Sequence, residues 1–246
     1  MQTPSLVLLS NQQVLQRAMD VVANNVANAS TTGYKRIGIE FDTLLQRSTP
    51  KQSVNFVVDR ATYRDTANGS LETTGNPLDL AIQGEGYFQV QTPSGNRYTR
   101  GGSFQLNNQG EIVTASGQRV LDDNGQAIVV PDTSTQLNIS GDGFVTARVD
   151  NGANLSQLGK IGIVKFANEQ QVIPEGGGLY NTTQVSAPAE DSAIMQGTLE
   201  QSNVSPVMEM TQMIQIQRAY EQVSNLISQE NTRLTGAMTT LSKTTV

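Results

Sequence analysis

A heptad row near the carboxyl end constrains this chain more than any other feature. Met213, Tyr220, Ile227, Leu234 and Leu241 recur every seven residues, and Ile216, Val223, Glu230 and Ala237 fall between them. Alternating three- and four-residue spacing, held over successive heptads, is the pattern of a helical seam made to meet another helix. It predicts one helix from about Pro206 to Ser242, roughly 55 Å long at 1.5 Å per residue. Pro206 suits a first turn, where its missing N–H costs nothing, with Ser205 as the N-cap and Glu209 as the acidic residue of that turn. A helix of that length needs a partner.

The partner lies at the other end of the chain. From about Ser5 to Ala29, Leu8, Leu15 and Val22 repeat at seven, with Met19 and Val26 four residues beyond the last two. Val7, Val14 and Val21 form a second sevenfold row on the adjoining flank. Together the rows span more than the roughly 100° that one face requires. The C-terminal helix also carries apolar residues off its seam, at Met210, Ile214 and Leu226. Nothing else in the sequence supplies a helical bundle core, so other chains are expected to cover the surplus. An antiparallel pairing would set Asn25 near Tyr220 and Glu230 nearer Arg17. Asn25 falls on the apolar side of its helix, where a polar residue fixes register at some cost in stability. A solvated helix end would account for Asn24, Asn25 and Asn28 equally well.

Composition narrows the function. The chain of 246 residues has no His and no Cys, which removes Ser-His-Asp and Cys-His catalysis, ordinary zinc sites and disulfides. A net charge of -6 argues against a nucleic-acid surface. Charged residues make up only 15% of the chain, a weakly charged surface suited to packing against copies of itself. The apolar run Leu6–Leu9 has no basic residue before it, so neither a secretory signal nor a membrane span is expected.

Four segments are expected: 1–33, an N-terminal stalk helix; 34–74, an extended connector; 75–195, an all-β domain; and 196–246, holding the long helix. The first helix ends near Ser30–Gly33, with Gly33 available for a left-handed cap. Within the connector Ile37, Phe41, Leu44 and Leu45 have helical spacing, but Gly38 interrupts them and Pro50 ends the run; Val54–Asp59 alternates weakly. That predicts linker with one strand or a short helix. From Gly75 onward, short alternating runs are separated by Gly84-Glu85-Gly86, Ser94-Gly95-Asn96, Asp123-Asn124-Gly125 and Gly141-Asp142-Gly143. Such spacing describes a β sandwich or partly open barrel. The fold class is therefore α+β, with two terminal helices pairing as a coiled-coil-like stalk and an inserted β domain.

No fragment carries chemistry. Gly84-Glu85-Gly86 links two strands and no helix follows, so it is a turn and not a dinucleotide loop. Asp122-Asp123-Asn124-Gly125 lacks the alternating ligands of a calcium loop and reads as a hairpin. Glu175-Gly176-Gly177-Gly178 has no following Lys-Ser or Lys-Thr for phosphate. Asp79, Glu85 and Glu111 are scattered acids with no paired geometry for glycoside hydrolysis. No catalytic residue, metal, cofactor or small-molecule substrate is expected.

The residues do resemble a known family. Ala23-Asn24-Asn25-Val26-Ala27-Asn28-Ala29-Ser30-Thr31-Thr32-Gly33-Tyr34-Lys35-Arg36 is similar to the N-terminal signature of bacterial flagellar axial proteins, the rod and hook subunits. The likeness continues through Thr74–Ile82, Gly84–Phe88 and Tyr98–Phe104, and closes with Gln196–Glu200, Ser202–Val204 and Glu209–Tyr220. These blocks lie in order along nearly the whole chain. Gly101 stands where a larger polar residue is common and Ser30 where Asn is common, and neither touches the seams. Leu15–Val22, Tyr63-Arg64-Asp65 and Gly69-Ser70-Leu71-Glu72 resemble proximal-rod members, with distal-rod members as the alternative.

The resemblance implies a subunit that stacks helically into a hollow rod, terminal helices inside and β domains outside. It implies export by the flagellar type III apparatus without a cleaved signal, and a periplasmic place in the basal body beside other proximal and distal rod subunits. Two helices alone bury little against the entropy of ordering them, so folding of the ends would be coupled to assembly. A reading from another class, a β adhesin or carbohydrate-binding module on a coiled-coil stalk, predicts instead a small discrete oligomer.

Overall fold

Two long helices open and close the chain, and they belong to the same part of the molecule. The computed structural model describes residues 3–49, 52–134, 136–149 and 154–244. It divides into one unit made of 1–27, 37–65 and 205–246, and a second made of 28–36 and 66–204.

In the first unit, α1 (Thr3–Ala27) packs on α2 (Pro206–Thr244). The helices run antiparallel, since from Gln12 to Asn25 along α1 the hydrogen-bonded partner runs back from Tyr220 to Glu209 along α2. The buried stripe of α1 is Val14, Ala18, Val22 and Asn25, at four- and three-residue spacing. It draws one residue from each sevenfold row, Val14 and Val22.

The expected connector is a long antiparallel ribbon, β1 (Ile37–Thr49) with β2 (Gln52–Arg64), which also packs on α1. Its sequence is rich in Ile, Val, Thr, Phe and Tyr, which fit an extended, pleated backbone better than a helix. The helical spacing of Ile37, Phe41, Leu44 and Leu45 was too short a run to separate the two periods. Gly38 interrupts no element: it faces Tyr63 across the ribbon, and a Cβ there would lie 2.4 Å from the tyrosine ring.

The second unit is mostly β. Its largest sheet centres on strand Tyr87–Thr92, which pairs with Gly95–Thr99, with Arg119–Val120 and, at its start, with Ile163–Lys165. A three-stranded sheet (136–160) and the pair Leu80–Gln83 with Ala193–Gln196 complete the enclosure. Alternation along the central strand sends Phe88 and Val90 into a core with Leu80, Ile82, Ile112 and Ile161, while Tyr87 joins Phe166, Val172 and Tyr180 in a second cluster. Phe88 meets Phe104 edge to face at 5.2 Å. The β unit is built from more sheets than a two-layer sandwich, and it takes in residues on both sides of 75–195.

Asn28–Arg36 folds with this β unit. Accordingly α1 stops at Ala27, and Gly33, although left-handed at φ 68, caps no helix. Its N–H donates to the Glu200 carbonyl, and a Cβ would lie 2.4 Å from the Arg100 carbonyl carbon.

Candidate assembly interface

The face between α1 and α2 is closed at one end by a polar node. Asn25 Nδ2 donates to Glu209 Oε2 at 3.0 Å and to the Ile37 carbonyl at 2.8 Å, while Asn25 Oδ1 accepts from the Ile37 N–H at 3.0 Å. Asn25 and Glu209 are 0% and 2% exposed, so these bonds replace water altogether. Asn25 thus locks both helices to the start of β1 and is no frayed end. Further along, Gln12 Nε2 donates to Tyr220 Oη at 3.0 Å.

The register differs from the expected one. Asn25 meets Glu209, not Tyr220, and Glu230 pairs with Arg233 of its own helix rather than lying toward Arg17. Heptad periodicity makes several alignments look equivalent; the Asn25–Glu209 bond selects one of them.

Most of the residues singled out from periodicity are at least partly covered. Val14, Val22, Asn25 and Val223 are buried. Val7, Leu8, Leu15, Met19, Val21 and Val26 on α1, with Met213, Ile216, Tyr220, Ile227 and Leu234 on α2, are partly covered. Met210, Ile214 and Leu226 remain exposed at 49%, 52% and 48%. The Leu241 side chain lies outside the described residues. Ala237, also on the seam row, is exposed. Sequence reading passed over exposed Leu6, Leu9, Val207, Met208 and Met238, which sit off the rows or near the helix ends.

The β unit holds a buried ion cluster that no sequence pattern announces. Glu200 Oε1 accepts from Lys35 Nζ at 2.7 Å and from the Gly69 N–H at 3.0 Å, and Oε2 accepts from Arg100 Nε at 2.7 Å. Arg100 spends its other donors on the carbonyls of Ile82, Gly84 and Gly86 and on Asn68 Oδ1. The Gly84-Glu85-Gly86 turn is therefore shaped to present carbonyls to one guanidinium. Burial lowers the Lys35 ammonium below an ordinary lysine, against the opposing pull of Glu200. Burial alone would raise the Glu200 carboxyl, but Arg100 and Lys35 together hold it below the ordinary carboxylate range.

Several further acids are structural as well, while Glu85 is exposed. Asp79 accepts from Thr74 and Asn76, closing the turn at Pro77, and Glu111 pairs with Asn107 and Arg119. Asp122 accepts the N–H groups of Asn124 and Gln126, which makes the expected hairpin. Glu175 binds Arg97 and Asn181. Among the described residues no cluster could hold a metal, and no helix is long and apolar enough to cross a membrane.

Two antiparallel helices with apolar residues left exposed, in a chain whose β unit bonds its buried charges to one another, define a structural protein that works by packing. Comparison with known proteins gives the family. Residues 6–35 match the family "Flagella basal body rod protein", 81–147 the "Flagellar hook protein FlgE/F/G D1 domain", and 195–239 the "Flagellar basal body rod FlgEFG protein C-terminal". The chain is 40% identical to flagellar basal-body rod protein FlgF of Caulobacter vibrioides, over 89% of both chains. It is 36% identical to FlgF of Mesorhizobium japonicum over 98% of both, and 37% identical to FlgG of Agrobacterium fabrum over 87% of this chain and 89% of that one. The chain belongs to the flagellar basal-body rod protein family. It is a structural subunit of the bacterial flagellar rod and not an enzyme, and the adhesin alternative is not favoured.

Proposed function

We propose that this subunit assembles helically through α1 and α2, pairing as a coiled-coil-like stalk, into the hollow drive shaft and export channel of the basal body. Its place is the proximal, periplasmic rod, with copies of itself and other proximal and distal rod subunits as neighbours. It reaches that place through the flagellar type III export apparatus, without a cleaved signal. The observation that carries the reading is the exposure of Met210, Ile214 and Leu226 on a helix whose other apolar face is already occupied. Water-exposed apolar rows of this kind mark surfaces that a partner removes from solvent. Ordering the terminal helices is then coupled to assembly, with mobile ends in the free subunit.

Labelling the protein in isolated basal bodies tests its place, and sedimentation of the purified chain across a concentration series tests its association. Label confined to the proximal rod and open-ended association are expected. A fully helical, hydrogen-exchange-protected monomer at every concentration, absent from the rod, would sink the proposal.

A further inference from the structure

Asn68 turns its amide into the buried ion cluster and is followed by a residue that leaves its own peptide nitrogen unshielded. Gly69 has no side chain, and a Cβ there would lie 1.8 Å from the Gln201 carbonyl oxygen. Asn68 Oδ1 accepts from Lys35 Nζ at 3.2 Å and from Arg100 Nη2 at 2.9 Å. Lys35 Nζ donates in turn to Glu200 Oε1 at 2.7 Å, and the same oxygen accepts the Gly69 N–H at 3.0 Å. These bonds close a ring that leaves Asn68 through its side-chain oxygen and returns to the next peptide nitrogen. The side-chain carbonyl and the Gly69 N–H are thereby both turned toward one carboxylate.

An asparagine amide carbon and the following nitrogen are the atoms that join when a chain deamidates through a cyclic imide. That closure needs a base for the N–H and a positive partner for the oxygen on which charge develops. Glu200 stands where the base belongs, and Lys35 and Arg100 stand at the oxygen. Burial would raise the Glu200 carboxyl, yet Arg100 and Lys35 keep it below the ordinary range and hence ionised. Asn124-Gly125, a second Asn-Gly pair, is arranged differently: the Gly125 N–H donates to the Asp122 carbonyl, which is a far weaker base than a carboxylate.

The cluster also has a use for the product. Lys35 and Arg100, both buried, share the Glu200 carboxylate, which balances only one of them. Glu169, across a cavity of about 60 Å³, acts on Lys35 more weakly than Glu200 does. An uncompensated buried cation is costly, and a carboxylate at position 68 would meet both cations at the distances the amide oxygen now holds.

We propose that Asn68 is a self-modification site, whose amide the Lys35–Arg100–Glu200 cluster converts to a carboxylate once the chain has folded. Glu200 takes the Gly69 proton as that nitrogen bonds to the Asn68 amide carbon, and Oδ1 receives the carbonyl electron pair against Lys35 and Arg100. Collapse of the adduct breaks the bond to Nδ2, which takes the proton back from Glu200 and leaves as ammonia. Water, which reaches the exposed Asn68, then adds to the side-chain carbonyl that the two cations polarise. The ring opens there, the Gly69 N–H is restored, and ammonia carries off the acid proton as ammonium. The product is an ordinary aspartate with an unbroken backbone. The proposal goes beyond the rod reading and does not depend on it.

Peptide mapping by mass spectrometry, on the chain kept at neutral pH either folded or in urea, tests it. In the folded chain Asn68 should convert at least about ten times faster than Asn124, the least that a positioned base supplies. In urea the cluster is gone and the two rates should converge. Glu200→Gln should slow Asn68 to the Asn124 rate; if that variant does not fold, the comparison of folded and unfolded chain decides alone. Asn68→Asp should raise the urea midpoint. Conversion no faster in the folded chain than in urea, isoaspartate as the main product, or a lowered midpoint in Asn68→Asp would overturn the proposal.

Discussion

Asn25 Nδ2 sits 3.0 Å from Glu209 Oε2, joining α1 to the first turn of α2 beneath a surface that water does not reach. The bond joins residues 184 apart in a chain of 246 and fixes which turn of one helix lies on which turn of the other. Asn25→Ala should therefore leave a carboxylate short of a donor and the Ile37 N–H short of an acceptor. A buried group stranded in this way costs about 1–3 kcal/mol, and more when charged, so a loss of about 3 kcal/mol is expected. Urea unfolding followed by circular dichroism at the helix band measures it, and an unchanged midpoint would remove Asn25 from its role.

Glu200 is bonded to both Lys35 and Arg100 in the buried cluster of the β unit. Glu200→Gln keeps the shape and removes the charge, leaving two buried cations to repel each other. Breaking a buried ion pair costs about 3–5 kcal/mol, and a loss of that size is expected in the unfolding free energy of the β unit. A cost under about 1 kcal/mol would show that the carbonyls around Arg100 suffice alone.

The same cluster sets opposite slopes at the two ends of the pH scale. Glu200 has a folded pKa below its ordinary 4.5, so its contribution is full above that value and is lost as pH falls through the folded one. Lys35 has a folded pKa below its ordinary 10.5. Between its folded value and 10.5 the unfolded chain binds the extra proton, so stability from this group rises with pH in that window. Denaturant midpoints should fall in acid for the unaltered chain, with a shallower fall in Glu200→Gln. Lys35→Met should abolish the alkaline rise, and a rise that persists would trace it to another group.

Gly33 and Gly125 share a left-handed backbone, at φ 68 and φ 78, but not the same surroundings. At Gly125 an added Cβ meets nothing within 4 Å, so Gly125→Ala should cost about 1–2 kcal/mol, the backbone term alone. At Gly33 the Cβ would strike the Arg100 carbonyl, and a loss above about 3 kcal/mol is expected. Thermal unfolding of the two variants side by side checks the difference, and equal losses would mean the backbone at Arg100 gives way.

Periodic features were legible before any coordinates. The α2 seam and the turn residues of the β unit each follow from a repeat that a few neighbouring residues carry, 3.6 or 2 per cycle. The β ribbon was harder, because Ile37–Leu45 fits either period and only pairing with a distant strand removes the ambiguity. Asn25 could be placed on the apolar side of its helix, but not assigned its partner, since a heptad row looks alike at each turn. Glu200, Lys35 and Arg100 could not be found at all: they come from three separated stretches, and nothing local marks any of them as buried.

What the sequence determined unaided was the kind of element most stretches become, the Ile37–Leu45 run excepted, because that depends on contacts within a few residues. Which elements meet, in what register, and which polar groups are sealed together was decided only in three dimensions, where a hydrogen bond between residues 184 apart in the chain outweighs any local preference. The apolar residues left exposed after that choice are those the proposed assembly would cover.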